Sequence, residues 1–215
     1  MSVFKTERLI LRPWREEDAA DLYNYAKDPR VGPPAGWAVH KDEADSLHIL
    51  RTVLMNEDTW AVTIKGSDEP VGSIGVFPSE ASLGKGEPEI GYWIGVPFWG
   101  QGYIPEAVRF LIRRCFEKGA ERVWCSHFAD NDKSRRVIEK CGFQYRCTED
   151  WDVPAFNETR KALYYSQSRE DWDECPNTIS PPARARRNSR KSAPAFWAMC
   201  AGWRARRRPR PSSLR

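Results

Sequence analysis

The sequence predicts one α/β domain over residues 1–173, a mixed and mostly antiparallel sheet of about seven strands with helices on both faces. A basic Pro/Arg-rich tail follows over residues 174–215. Three observations predict this. Segments that alternate apolar and polar residues recur along the first part of the chain, as half-buried strands do. Helical segments sit among them in the order β-α-α-β-β-β-α-β-α-β-β, and a meander followed by strands joined through helices gives a mixed sheet covered on both faces. Past Asp173 both patterns stop and Pro, Ser, Ala and Arg take over.

Each element has its own signal. Leu9 and Leu11 alternate with Arg8, Ile10 and Arg12, an edge-like first strand. Glu16, Glu17 and Asp18 put acids in the first turn of a helix that runs to about Lys27, and Pro29 stops it. The segment G-P-P-A-G-W (Gly32 to Trp37) reads as a loop. A second helix is expected from about Lys41 to Asn56, with Leu47, Leu50, Val53 and Leu54 on one side. Thr59 to Lys65 alternates Trp60, Val62 and Ile64, and Gly66 to Pro70 turns the chain into Val71 to Phe77, a hairpin. Glu87 to Val96 forms the third strand of the meander. A helix over Ile104 to Lys118, a strand over Val123 to Phe128 and a short helix after Asn131 come next. Strands near Phe143 to Trp151 and Thr159 to Ser168 end the domain.

Charge divides along the same line. All 30 acidic residues precede Cys175, against 23 basic ones, so residues 1–174 carry a net −7. The remaining 41 residues hold 11 basic groups and no acid. A tail of that composition cannot bury enough surface to offset its ordering entropy and is expected to be disordered. It is read as a solvated extension without a selected role. The alternative is phosphate and base contact through its Arg blocks beside Trp197 and Trp203, which confines any nucleic-acid or ribosome partner to residues 176–215. Six cysteines show no C-x-x-C pair, and His40, His48 and His127 have no metal spacing, so no metal site is expected. Buried thiols in a reducing compartment, no signal-like opening and no long apolar run point to a cytoplasmic protein without a membrane span.

The most informative stretch is V-P-F-W-G-Q-G-Y-I-P-E-A-V, Val96 to Val108. It follows the strand-like E-I-G-Y-W-I-G-V and leads into a helix. Two glycines let backbone N–H groups approach a ligand, and Pro105 suits the first helical position. Strand, glycine turn and helix N-terminus together make an anion cradle. No Gly-Lys-Ser or Gly-Lys-Thr follows, which argues against a nucleoside-triphosphate loop, and the spacing argues against a dinucleotide fold. A second segment, N-D-K-S-R-R-V-I-E-K-C-G-F (Asn131 to Phe143), follows the next strand.

Together these two segments resemble the GNAT superfamily of acyl-CoA-dependent N-acetyltransferases. The opening T-E-R-L-I-L-R-P-W (Thr6 to Trp14), with E-I-G-Y-W-I and W-G-Q-G-Y, is similar to the branch containing ribosomal-protein alanine N-acetyltransferases. The resemblance covers about residues 2–173. It implies the GNAT fold, acetyl-CoA as cosubstrate, and a loop of Trp99, Gly100, Gln101, Gly102, Tyr103 and Ile104 that holds the pyrophosphate. It also implies that the pantetheine arm lies along the strand Tyr92 to Val96, in a gap where that strand splays from the Val123 to Phe128 strand, hence against Trp93, Ile94 and Val96, with Asn131 and Ser134 beside it. Two positions depart from the family pattern. Ile104 stands where Gly or Ala is usual, and Ile138 stands where many members carry a Tyr acid.

Acyl transfer to an amine requires a held thioester, a neutral amine and a stabilised oxyanion. Glu89 is the candidate base, acting through water, set against the reading of an exposed strand Glu. Ser134 is the candidate donor to the leaving sulfur, set against a helix cap. Asn131 either caps the helix or bonds the arm's amides. Gly91 and Gly95 either mark close backbone approach or bend the sheet. Lys133, Arg135, Arg136 and Lys140 either meet the 3′-phosphate or form a solvated face. Trp37, His40, Tyr92, Trp151 and Phe156 are candidate walls for the acceptor. The expected function is acetyl transfer to a primary amine, on a small molecule or a protein N-terminus, by direct attack in a monomer or homodimer. A non-catalytic acyl-CoA-binding module is the alternative.

Overall fold

The computed structural model describes residues 2–173. One eight-stranded sheet has the order β1-β2-β3-β4-β5-β6-β8-β7. Its strands are β1 (Phe4–Lys5), β2 (Leu9–Arg12), β3 (Thr59–Ile64), β4 (Pro70–Pro78), β5 (Pro88–Ile94), β6 (Arg122–Phe128), β7 (Gln144–Val153) and β8 (Glu158–Ser168). Every neighbouring pair is antiparallel except β5 with β6.

The two faces are covered by different helices. On one face lie α1 (Ala19–Ala26) and α2 (Glu43–Ile49), whose Leu22 and Ala26 pack with Leu50, Val53, Phe77 and Trp93. On the other lie α3 (Tyr103–Glu117) and α4 (Asp132–Lys140). Ile104, Val108, Leu111, Ile112 and Phe116 line one side of α3 at helical spacing and pack against Leu9, Leu11, Val62, Ile74 and Ile90. Each such buried side chain contributes about 1.5–3 kcal/mol relative to exposure, so the sheet's middle strands are clamped from both sides. A short α5 (Arg169–Asp173) closes the described part.

Three differences from the sequence expectations have identifiable physical causes. The Leu9–Arg12 strand is not the edge, because Phe4–Lys5 pairs outside it and makes the eighth strand. Phe4 is held by rings at 5.5 Å (Trp60) and 5.4 Å (Phe110), contacts no local pattern announces. Arg12, placed on the polar side of the alternation, is buried and paired with Asp18 and Asp68 at 2.8 Å each. The second helix starts at Glu43 because Asp42 caps it, accepting from the Asp45 N–H at 2.7 Å. It then widens to π geometry over Leu50–Leu54, closed by the Met55 N–H to the Leu50 carbonyl at 2.9 Å. The expected tail lies outside the described residues.

Candidate active site

β5 and β6 meet at one register position, Glu89 beside Trp124. The Cys125 thiol then donates to the Ile90 carbonyl at 3.2 Å, and beyond this point no ladder joins the two strands among the described residues. That bond also fixes the phase of β5. Backbone groups alternate in direction along a strand, so Ile90, Tyr92 and Ile94 turn their N–H and C=O groups into the opening. Gly91 and Trp93 turn theirs to β4, consistent with the Gly95 N–H reaching the Val71 carbonyl at 2.8 Å. Of the residues expected along the arm, Ile94 therefore sits on the open edge, but Trp93 faces away with its ring among Trp14 and Trp37. Ile94 offers its N–H, because the Trp99 indole already donates to its carbonyl at 2.9 Å. Val96 begins a one-turn 3₁₀ segment below the opening.

The glycine turn closes the mouth of this gap. Gly100 has φ +76° and Gly102 has φ +80°, conformations that L side chains rarely adopt. Both glycines are exposed, and no side chain caps α3. The first N–H groups of a helix have no intrahelical acceptor, and no side chain takes that place at the start of α3. Ile104, bulkier than the family pattern, keeps its side chain in the core at 4 % exposure and leaves its backbone at the turn.

Arg8, which sequence reasoning did not assign to the site, stands beside this turn. Its guanidinium donates to Glu106 at 2.7 Å and to the Gln101 carbonyl at 2.9 Å, lies over the Tyr103 ring at 4.7 Å, and comes within 3.4 Å of where a Gly102 Cβ would be. Lys133 projects over the Trp99 ring at 4.5 Å from the α4 side. Arg135 is bound to Asp132 and Glu139 on its own helix.

Asn131 serves the cap: its Oδ1 accepts from the Ser134 N–H at 3.1 Å, while its Nδ2 donates to the Pro34 carbonyl at 3.0 Å. The Ser134 hydroxyl lies 3.0 Å from the Tyr92 phenol oxygen.

Glu89 is 3 % exposed, inside the sheet rather than on it. The hydroxyls of Ser79 (2.7 Å) and Ser126 (2.5 Å) donate to its carboxylate. Burial raises its pKa from 4.5, and the two serine hydrogen bonds oppose that rise. Glu89 and Trp93 share the α1/α2 face, whereas Ile90, Tyr92 and Ile94 share the α3/α4 face.

On the α1/α2 face a cleft of about 560 Å³ is lined by Leu22, Trp37, His40, Asp45, Trp93 and Asn157, among others. His40 is buried with its Nδ1 2.8 Å from the Ser46 hydroxyl, and burial lowers its pKa, which keeps it neutral. Of the residues expected as acceptor walls, Trp37 and His40 line this cleft. Tyr92 lies across the sheet, and Trp151 and Phe156 pack against Trp124 and Phe128 in a separate cluster. Pro154, Ala155 and Asn157, from the same turn, reach the cleft instead. A turn's neighbours exchange places with a change of backbone direction that no alternation pattern records.

The sequence model of the acetyltransferase (GNAT) domain family matches residues 8–144. The chain belongs to this family. Among relatives, the "FsC-acetyl coenzyme A-N(2)-transacetylase" of Aspergillus fumigatus is 30% identical over 184 residues, covering 78% of this chain and 76% of its own length. The protein named "Putative ribosomal N-acetyltransferase YdaF" of Bacillus subtilis is 35% identical over 86 residues, 40% of this chain and 47% of its own. A GNAT-family acetyltransferase structure from Bacillus anthracis superposes with a TM-score of 0.68 at 24% identity, covering 79% of this chain and 99% of that one; it shows the GNAT fold. Among the described residues of this GNAT domain, no cluster of three His, Cys, Asp or Glu side chains is arranged to hold a metal, and no helix is long and apolar enough to cross a membrane.

Proposed function

We propose that this GNAT domain transfers the acetyl group of acetyl-CoA to a primary amine by direct attack. The opening between β5 and β6, with the glycine turn at its mouth, carries this reading. It offers donors for an anion at Gly100–Ile104 and the strand-edge N–H groups of Tyr92 and Ile94. The thioester enters from the α3/α4 face, and the amine comes from the cleft on the other.

The amine must be neutral to attack. An α-amine titrates near ~8 and a Lys side chain near ~10.4, so a terminal or similarly acidic amine is the easier acceptor. Glu89, its proton affinity raised by burial, takes the proton through water. The carbonyl carbon gains the C–N bond, the C–S bond breaks, and sulfur keeps the electron pair. No enzyme thiol takes part. Burial pushes Cys125 well above the usual thiol range and Cys141 up to about 12, so neither supplies a thiolate. The aromatic and aliphatic cleft walls beside Asp45 suit an amine on a largely apolar skeleton, whether a small molecule or the terminal residue of a peptide. An acetyl-CoA-dependent N(2) transfer in the Aspergillus relative's name, and ribosomal N-acetylation in the Bacillus subtilis one's, fit that chemistry.

Calorimetric titration of acetyl-CoA into the full chain, beside Gly102→Glu, tests the reading. Binding in the micromolar range is expected. The variant puts a carboxylate and a strained Cβ where the phosphates would lie, and it should lose at least about a hundredfold in affinity while its circular dichroism stays unchanged. Equal affinity in both proteins, or no binding by the parent, would remove the basis for acetyl-CoA.

A further inference from the structure

Tyr92 is the residue of β5 whose side chain enters the α3/α4 face inside the strand opening. Its phenol reaches the first turn of α4, 3.0 Å from the Ser134 hydroxyl and 3.2 Å from the Ser134 carbonyl. The Ser134 N–H is already taken by Asn131. Ser134 is therefore gripped from two sides, by a cap from its own helix and by a phenol from the neighbouring strand.

A helical serine left alone turns its hydroxyl back to a carbonyl one turn earlier. A phenol donating into its oxygen leaves the serine its own proton to give elsewhere. Burial holds the Tyr92 pKa well above 10, against a hydrogen bond with Ser134 that lowers it, so the phenol keeps its one hydrogen, with the Ser134 hydroxyl at 3.0 Å and the Ser134 carbonyl at 3.2 Å as acceptors. One turn along α4 from Ser134, on the same face, stands Ile138, which is fully buried and has no proton to offer.

We propose that Tyr92 is a positioning residue for acetyl transfer, donating its phenol hydrogen to Ser134 so that the Ser134 hydroxyl points into the opening and hydrogen-bonds the departing sulfur of CoA. This rests on the proposed acetyl transfer. The hydrogen bonds run from the phenol to the serine oxygen and from the serine hydrogen to the sulfur, each strengthening the next. No proton needs to cross. The amine's proton goes to Glu89 through water, the C–S electron pair stays on sulfur, and the thiolate, whose thiol titrates near ~8.5, leaves as such. Tyr92 and Glu89 lie on opposite faces of one strand, so the two ends of the reaction are served from two sides.

The test compares binding of CoA and of desulfo-CoA to the full chain, at a pH above the thiol's own, in wild type, Tyr92→Phe and Ser134→Ala. A hydrogen bond to a charged acceptor should make wild type prefer CoA by about tenfold. Tyr92→Phe, which keeps the ring, should cut that preference at least about threefold and leave desulfo-CoA affinity unchanged. In turnover, Tyr92→Phe should lower kcat about tenfold at constant KM for acetyl-CoA, and should do nothing further in a Ser134→Ala background. If both ligands weaken together, or if the two substitutions multiply, Tyr92 merely packs and the proposal is overturned. If the CoA preference depends on Tyr92 but no amine is acetylated, the phenol–serine arrangement stands and the acetyl-transfer reading falls.

Discussion

On the α3/α4 face of β5, the groups offered to a ligand are mainly backbone: the N–H groups at Gly100–Ile104, and those of Tyr92 and Ile94 along the open edge. On the α1/α2 face they are side chains: Trp37, His40, Asp45 and Trp93 around the cleft, with the Glu89 carboxylate buried deeper in the sheet. The first set comes from thirteen consecutive residues, Tyr92 to Ile104. The second is gathered from α1, the following loop, α2, β5 and the β7–β8 turn. A backbone cradle needs only the right turn chemistry in one stretch of chain. A side-chain cleft needs the whole fold to bring its walls together. The contrast predicts a division of labour, with one face reading a constant nucleotide and the other a particular amine.

Glu89→Gln should break that division most sharply. The expected loss in kcat is about a hundredfold or more, with acetyl-CoA affinity unchanged because the glycine turn is untouched. Unaltered turnover would assign the proton to another group. The same variant carries a stability signature. A carboxyl whose folded pKa is raised adds stability that is complete below its ordinary value of 4.5 and is lost as pH rises through the raised one. Gln carries no such loss, so the variant should melt above wild type at neutral pH, and the gap should close in acid. A gap that widens in acid would contradict the assigned direction.

Asp45→Asn should act on the amine side alone. It should raise KM for the amine about fivefold while leaving that for acetyl-CoA as it was, measured by thiol release at varied concentrations of each substrate. A matching rise for acetyl-CoA would show that the two faces are coupled. The smallest effect is expected from Ser126→Ala. The Ser126 hydroxyl donates to ionised Glu89 and lowers its pKa, so its removal should move the acid limb of the kcat/KM profile to higher pH. A shift to lower pH would mean that Glu89 is not the group being titrated.

The legible parts and the hidden ones follow the same division. The order of elements, the glycine turn before α3 and the Asn131 cap rest on neighbours within a few residues, and local patterns carry them. Arg8 at the turn was hidden because its partners Gln101 and Glu106 lie over ninety residues away. Glu89 looked like an alternating strand residue with an exposed reading open to it. Only Ser79 and Ser126, brought in from the end of β4 and from β6, show it enclosed and bonded.

By itself the sequence determined the strand and helix periods, the turn whose two glycines adopt positive φ, and the change of composition past Asp173, because each depends on bonding and sterics within a short span. Only the tertiary structure decided at which residue β5 and β6 part, that Tyr92 meets Ser134 across that opening, and that the Trp37 cleft lies on the opposite face. Those are contacts between segments far apart in the chain, fixed by which side of β5 each residue faces once the sheet has formed and both layers of helices have packed against it.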